Sequence, residues 1–202
     1  MLVRWAQRIQ ALAQAGLTFA ADPFDRERYT ELRLLAQQLL GASLGLSSER
    51  VQALLAQEHG YPTPKLDIRA AVFLEDRLLF VREKSDGLWS LPGGWAEVGL
   101  SASETAIAEV ADEAGYSVRP TKLLAVLDWS RHVHRPLPWH VYKLFLRCEL
   151  TGERTPLTSE TDAAAFFGRD AIPPLSRERV DVPQVVLMFQ HYDDPGRPTT
   201  FD

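Results

Sequence analysis

The strongest constraint in this sequence is a change of hydrophobic period. Up to residue 60 the apolar residues recur at helical spacing; from Asp67 they recur at strand spacing. "YPTPK" (Tyr61 to Lys65) stands between, where each proline removes a donor and disfavours helix in the residue before it. Within the first stretch Trp5, Ile9, Leu12 and Ala13 fall at i, i+4, i+7 and i+8, which predicts a helix that buries this face. Asp22 is placed to cap a second helix and Pro23 to occupy its first position, with Leu32, Leu35, Ala36 and Leu39 as its apolar stripe. Ser47 or Ser48 opens a third helix with Val51, Leu54 and Leu55 turned inward and Gly60 as its stop. These residues hold six Arg, no Lys and six acids. A helical DNA-binding module is usually basic, so the even balance points to a packing or dimerisation domain.

After the linker, "DIRAAVFL" and "RLLFVRE" flank Glu75-Asp76 as a hairpin, and "KLLAVLDW" and "HVYKLFLRCEL" read as two further strands. "AAFFGRD" fits a short strand or turn. A closing helix is expected to start at or near Pro183 with Val185, Val186, Met188 and Phe189 partly buried, and "DDPGRPTTFD" to be a frayed tail. The predicted fold class is therefore α/β, a sandwich with a mixed sheet preceded by a small helical domain. The expected boundaries are 1–60 for the helical domain, 61–66 for the linker and 67–202 for the α/β domain. The chain's 202 residues, 46% hydrophobic, suffice for one core plus such an appendage.

Net charge is -5, which gives no general attraction to nucleic acid or to anionic membranes. The one cysteine, Cys148, cannot form an internal disulfide and reads as a buried structural thiol, consistent with a reducing, cytoplasmic home. No apolar run approaches membrane-spanning length, and "MLVRWAQRIQ" lacks the features of a signal peptide.

The chemistry concentrates in "LPGGWAEVGLSASETAIAEVADEAGY", Leu91 to Tyr116. Ser101 and Glu104 fit a capping box and Gly115 a helix stop. Ile107, Val110, Ala111 and Ala114 form the face expected to pack on a sheet. Glu109, Asp112 and Glu113 are expected on the opposite face, at i, i+3 and i+4. The three carboxylates repel one another and no Lys or Arg follows at i+4, so a cation is the natural neutraliser. Oxygen-only ligands suit Mg²⁺, or Mn²⁺ in its place, over zinc. Such a triplet alone is usually a solvated acidic face. The preceding Pro92-Gly93-Gly94 raises its significance, because Gly94 can offer a carbonyl to a metal or an amide to a phosphate.

On these residues the chain resembles the Nudix family, whose motif runs G-x5-E-x7-R-E-U-x-E-E-x-G-U with U bulky and apolar. From Gly94 the matches are Glu109, Val110, Glu113 and Gly115; Asp112 is a conservative replacement and Tyr116 a looser one. Leu100 stands at the first Glu and Ala108 at the Arg. In the family those two groups help brace the carboxylate helix. Losing both partners of an ion pair can be nearly neutral, so the brace is expected to pass to apolar packing at Leu100 and Ala108, with the Ser101–Glu104 cap assisting. "LAQAGLTFAADPFDRERYTELR", "GYPTPKLDIRAAVF" and "FFGRDAIPPLSRERV" also resemble a Nudix subfamily with a helical N-terminal extension.

The resemblance implies a Nudix-type α/β/α sandwich and Mg²⁺-dependent hydrolysis of a nucleoside diphosphate linked to another moiety, of the ADP-ribose or CDP-choline class. It assigns Glu109, Asp112, Glu113 and Glu160 as catalytic residues and Gly94, Glu109, Asp112 and Glu113 as metal ligands. Glu104 as a stand-in for the missing Glu, and Glu97 as an extra ligand, are minor alternatives. "DWSRHVHRPLPWHVYK" gathers Arg131, His132, His134, Arg135, His140 and Lys143 into a candidate mouth for phosphates, with Trp129, Trp139 or Tyr142 as a base-stacking platform. Arg131, His132, His140, Tyr142 and Lys143 are the expected substrate contacts; surface histidines rank second and a zinc site last. Arg177 and Arg179 read as structural. The expected partners are a small-molecule nucleoside diphosphate and a second copy of the chain, with neither membrane nor nucleic acid. Two readings compete: a non-catalytic nucleotide-sugar sensor, and a hydrolase of RNA ends or nucleoside triphosphates.

Overall fold

The computed structural model describes residues 1–132, 136–152 and 161–202, and divides them into two compact units. One unit holds Met1–Pro64 together with Pro136–His140; the other begins at Lys65 and takes the remaining described residues.

The first unit is three helices, α1 (Leu2–Phe19), α2 (Pro23–Leu44) and α3 (Ser48–Leu55). Asp22 caps α2, accepting from the Phe24 N–H at 2.8 Å with Pro23 in the first turn, and Ser47 caps α3. The helix α3 ends at Leu55, five residues short of the expected stop at Gly60. The buried faces also differ from the apolar stripes. Ala6, Gln10, Ala13 and Gln14 are the buried face of α1, and Ala36, Gln37, Leu40 and Gly41 that of α2. Trp5, Leu12, Leu32, Leu35 and Leu39 lie exposed. The reason is close packing: small residues let α1 and α2 approach, and Gly16 sits so near the Tyr29 ring that a methyl group there would stand 2.4 Å from it. The unit's core, Ala6, Leu40, Val51 and Leu55, also receives Trp139. Gln7 fixes that segment by donating to the carbonyls of Leu137 at 2.8 Å and Trp139 at 2.9 Å.

The second unit is built on β1 (Lys65–Leu74), β2 (Arg77–Glu83), β3 (Trp89–Ser90), β4 (Val118–Asp128), β5 (Val141–Leu150), β6 (Thr161–Phe167) and β7 (Thr200–Phe201). They pair in the order β3-β2-β1-β5-β4-β7, with β6 on β2. The sheet is mixed: β1 runs parallel to β5, and β1 with β2 and β4 with β5 are antiparallel. Helix α4 (Ala102–Ala114) covers one face, where Ala106, Val110 and Ala114 meet Ile68, Ala70, Val72, Leu79 and Val81. Helix α5 (Val182–Asp193) covers the other, where Val185, Met188 and Phe189 meet Ala71, Leu78, Phe80 and Phe145. Both faces of β1 are therefore buried, as in a sheet sandwiched between helices.

Helix α5 starts at Val182 with Asp181 as its cap, and Val186 turns out to solvent. The C-terminal residues are not a frayed tail: Thr200 and Phe201 extend the sheet parallel to Ala125 and Val126, and Lys122 donates to the carbonyls of Pro195 at 2.8 Å and Arg197 at 2.6 Å. Cys148 is buried in β5, and burial pushes its thiol up to about 12. No described helix is long and apolar enough to cross a membrane.

Candidate active site

The turn from β3 to α4 is locked onto β1. Pro92 accepts from the Ala70 N–H at 2.9 Å, Gly94 accepts from the Ile68 N–H at 2.8 Å, and the Ala96 N–H donates to Leu66 at 2.9 Å. Gly93 has φ +142°, and a Cβ there would lie 2.0 Å from the Ile68 carbonyl oxygen, so only glycine fits. The Gly94 carbonyl thus already holds a strand partner. It is the Gly93 amide that meets a carboxylate, donating to Glu113 Oε2 at 2.8 Å. Gly94 leaves room for another: a Cβ on it would stand 2.5 Å from Glu109 Oε1.

Helix α4 carries the predicted capping box, with Ser101 accepting from the Glu104 N–H at 3.2 Å and Glu104 accepting from the Ser101 N–H at 2.8 Å. Glu104 is therefore engaged as a cap rather than as a replacement for the motif's first Glu. Gly115 closes the helix at φ 72°. The three acids do not share one solvent face. Glu113 is buried, Glu109 half-buried and Asp112 exposed, whereas Ile107 on the expected core face is exposed. Leu100 and Ala108 are also exposed, so the expected apolar brace at those two positions is absent.

Burial, and then the neighbouring Glu109 and Glu83, drive the Glu113 carboxyl up to about 8, against the pull of the Gly93 amide and of Arg69. Glu83, at the end of β2, is buried and pairs with Arg179 Nε at 3.0 Å. Sequence reading missed Glu83, whose only signal was an acid ending a strand of otherwise core-like residues. Arg179 also reaches Asp86 at 3.4 Å, the kind of structural pairing expected of it.

Glu83, Glu109 and Glu113 bring carboxylate oxygens into one electrostatic neighbourhood, the donor chemistry of a hard divalent cation. A cation there would offset the burial, and with it the lesser repulsion from Glu109 and Glu83, that raises the Glu113 carboxyl. Among the described residues no group of three His, Cys, Asp or Glu side chains is yet closed around a common point. Glu160 lies outside the described residues, as do His134 and Arg135. Thr161, which follows Glu160, is buried and donates its hydroxyl to the Glu113 carbonyl.

Beneath the turn lies a buried ionic cluster. Asp67 and Lys143 are register partners on the parallel strands β1 and β5 and form an ion pair. Arg69 Nε donates to Asp67 Oδ1 at 3.0 Å. Burial alone would raise the Asp67 carboxyl; Arg69 and Lys143 outweigh it and hold the carboxyl below its usual range. Burial brings the Lys143 ammonium down to about 8, still protonated at pH 7.

Lys143 was expected to contact substrate, and the structure overturns that: its side chain is 0% exposed and lies 4.7 Å from the centre of the Trp129 ring. Trp129 is buried beneath it and Trp139 is packed on the helical unit, so neither is a stacking platform. Of the remaining expected contacts, Arg131 is exposed with its guanidinium 3.8 Å from Asp128, His132 lies 3.3 Å from Asp202, and Tyr142 is half-buried on β5. His140 is half-buried in the segment that belongs to the helical unit.

Comparison with known proteins agrees with this architecture. Residues 63–187 match the NUDIX domain, and residues 1–55 match a UDP-X-like, N-terminal oligomerisation domain. YjhB of Bacillus subtilis (strain 168), provisionally named an ADP-ribose pyrophosphatase, is 47% identical over 98% of this chain and 95% of its own length. A crystal structure of a UDP-X diphosphatase superposes with TM-score 0.65 at 34% identity, covering 100% of this chain and 98% of that one. An ADP-ribose pyrophosphatase from Streptococcus suis 89-1591 superposes with TM-score 0.64 at 41% identity, over 69% of this chain and 100% of its own.

Proposed function

The chain belongs to the Nudix family of pyrophosphohydrolases, and from that premise we propose that it cleaves the diphosphate of a nucleoside diphosphate joined to a second moiety, with ADP-ribose the first candidate and CDP-choline the second. The products are a nucleoside monophosphate and the phosphorylated second moiety. The observation that carries this reading is Glu113, pinned by the Gly93 amide beside a Glu109 that fills the space Gly94 leaves open. The names of YjhB and of the Streptococcus suis enzyme support ADP-ribose. The UDP-X diphosphatase supports a diphosphate joined to a second group.

Mg²⁺ is the proposed cofactor, with Mn²⁺ as substitute; when bound it neutralises the phosphates and lowers the pKa of a bound water. Glu109 and Glu113 would hold it, and Asp112 adds charge at the exposed edge. The Gly93 amide fixes the rotamer of Glu113, and the β1 contacts of Pro92, Gly94 and Ala96 fix Gly93 in turn. A carboxylate takes the proton of the attacking water, and parallel Glu109→Gln, Glu113→Gln and Glu160→Gln variants separate base from ligand. Arg131, His132 and Tyr142 are the proposed contacts for the anionic substrate. The exposed Trp5, Leu12, Leu32, Leu35 and Leu39 of α1 and α2 are the proposed seat of a second copy of the chain, in keeping with an oligomerisation domain.

The test is a substrate screen. ADP-ribose, CDP-choline, UDP-sugars and nucleoside triphosphates are incubated with Mg²⁺ or Mn²⁺ and the phosphorus products identified. Nucleoside monophosphate from ADP-ribose, lost in Glu113→Gln, is the expected result. Tight binding without product would replace the enzyme by a sensor, and release of inorganic diphosphate from triphosphates would move the substrate class.

A further inference from the structure

Resting on that reading but going beyond it, we infer that Arg69, on strand β1, supplies the cationic brace that the motif helix lacks at Ala108, and that it acts as the positioning residue for Glu113. The two motif positions that would brace the helix are apolar and exposed here. The buried cation in their stead comes from a different element. Arg69 is 6% exposed and makes three side-chain hydrogen bonds. Nε reaches Asp67 Oδ1 at 3.0 Å, and Nη1 reaches Ser90 Oγ at 3.2 Å and the Leu91 carbonyl at 3.0 Å.

Those last two bonds grip the chain just ahead of Gly93, whose amide grips Glu113 at 2.8 Å. Gly93 is also pressed on the backbone of Arg69 itself, since a Cβ on it would lie 2.9 Å from the Arg69 Cα. A continuous mechanical path thus runs from Asp67 through Arg69 and Leu91 to Gly93 and Glu113. Its far end is fixed by Lys143, which pairs with Asp67 from β5. Arg69 also acts on Glu113 and Glu83 through its charge. The planar fork matters as much as the charge: a guanidinium can hold a carboxylate, a hydroxyl and a carbonyl together, and an ammonium on a flexible stem cannot hold that geometry. A group that orients a metal-binding carboxylate in this way is worth roughly 10- to 100-fold in metal affinity.

The experiment compares Arg69→Met, Arg69→Lys and Glu113→Gln in the full-length chain. Mn²⁺ binding to the nucleotide-free protein is titrated by electron paramagnetic resonance, kcat and KM are measured on the substrate found above, and thermal unfolding monitors the fold. Arg69→Met is expected to bind Mn²⁺ about tenfold or more weakly and to lose kcat with KM nearly unchanged. Arg69→Lys keeps the charge and the fold, and is expected to fall between wild type and Arg69→Met in both quantities. A folded Arg69→Met, or an Arg69→Lys, that matches wild type in Mn²⁺ affinity and kcat while Glu113→Gln loses both overturns the inference. If Glu113→Gln itself keeps both, the underlying metal-site reading is what fails.

Discussion

The two units of this chain dispose of their residues in opposite ways. The helical unit buries Ala6, Gln10, Ala13 and Gln14 of α1 and Ala36, Gln37, Leu40 and Gly41 of α2, and leaves Trp5, Leu12, Leu32 and Leu35 in the open. The α/β unit leaves few large apolar residues out on its strands and instead encloses Asp67, Arg69, Glu83, Glu113 and Lys143. Each choice costs free energy in an isolated chain. Exposed apolar area forgoes roughly 25 cal/mol per Å², and a buried charge loses several kcal/mol of hydration. A partner surface would recover the first cost. Mutual pairing recovers the second for Asp67, Arg69 and Lys143, and at the proposed metal site a cation would do so for Glu109 and Glu113. The difference teaches where to look: the exposed leucines are where an assembly face is proposed, and the enclosed charges border the proposed active site.

The sharpest way to break this comparison is at Gly93. Gly93→Ala puts a methyl group into the Ile68 carbonyl at a φ that L-residues rarely adopt, so turnover should fall about 100-fold or more, read from kcat/KM. Next in size is Lys143→Met, which strands Asp67 in the interior with Arg69 alone. Denaturant unfolding should show a loss of about 3 kcal/mol, and a neutral result would mean that the Lys143–Asp67 pair does not hold the cluster together. In the helical unit, Trp5→Glu combined with Leu12→Glu should halve the sedimentation mass of an oligomer while the helical circular dichroism stays. An unchanged mass would show that another surface assembles the chain.

A subtler contrast is with pH. The Glu113 carboxyl is raised from 4.5 to about 8, so in the metal-free protein its contribution to stability is full below 4.5 and is lost as pH rises to about 8. Glu113→Gln should flatten the fall in melting temperature across that window in chelator, and Mg²⁺ should raise the melting temperature of wild type only. The smallest effect is expected at Ala108→Gln. It lies on an exposed helix surface with no bracing role, so stability should stay within about 0.5 kcal/mol and kcat should not move. A large loss there would return the brace to the motif helix.

Much of this was legible in the residues. The period change near residue 67, the Asp22, Ser47 and Ser101 caps, the Gly115 stop and the Nudix spacing depend on near neighbours in the chain, and near neighbours are what a sequence displays. Other features depend on what packs against them. Helical periodicity put Trp5, Leu12 and Leu35 inward because it reads hydrophobicity alone; close approach of two helices selects small residues instead. In "DIRAAVF" strand alternation places Asp67 and Arg69 on the same face as Ala71. With α5 lying over that side of the sheet, solvent is excluded and the charges must pair. Lys143 looked like part of a basic mouth because its neighbours in the chain are basic, yet its register with Asp67 takes it inside.

By itself, then, the sequence determined the period change, most of the helix caps, the family and the spacing of the acids in its motif, because each of these is written within a few consecutive residues. Only the tertiary structure decided that Glu113 is enclosed while Asp112 is not, that the C-terminal residues extend the sheet, and that the buried Arg69 of strand β1 grips the chain ahead of Gly93. Those outcomes follow from which surfaces are closed to water, and closure is a property of elements brought together, which no single stretch of sequence contains.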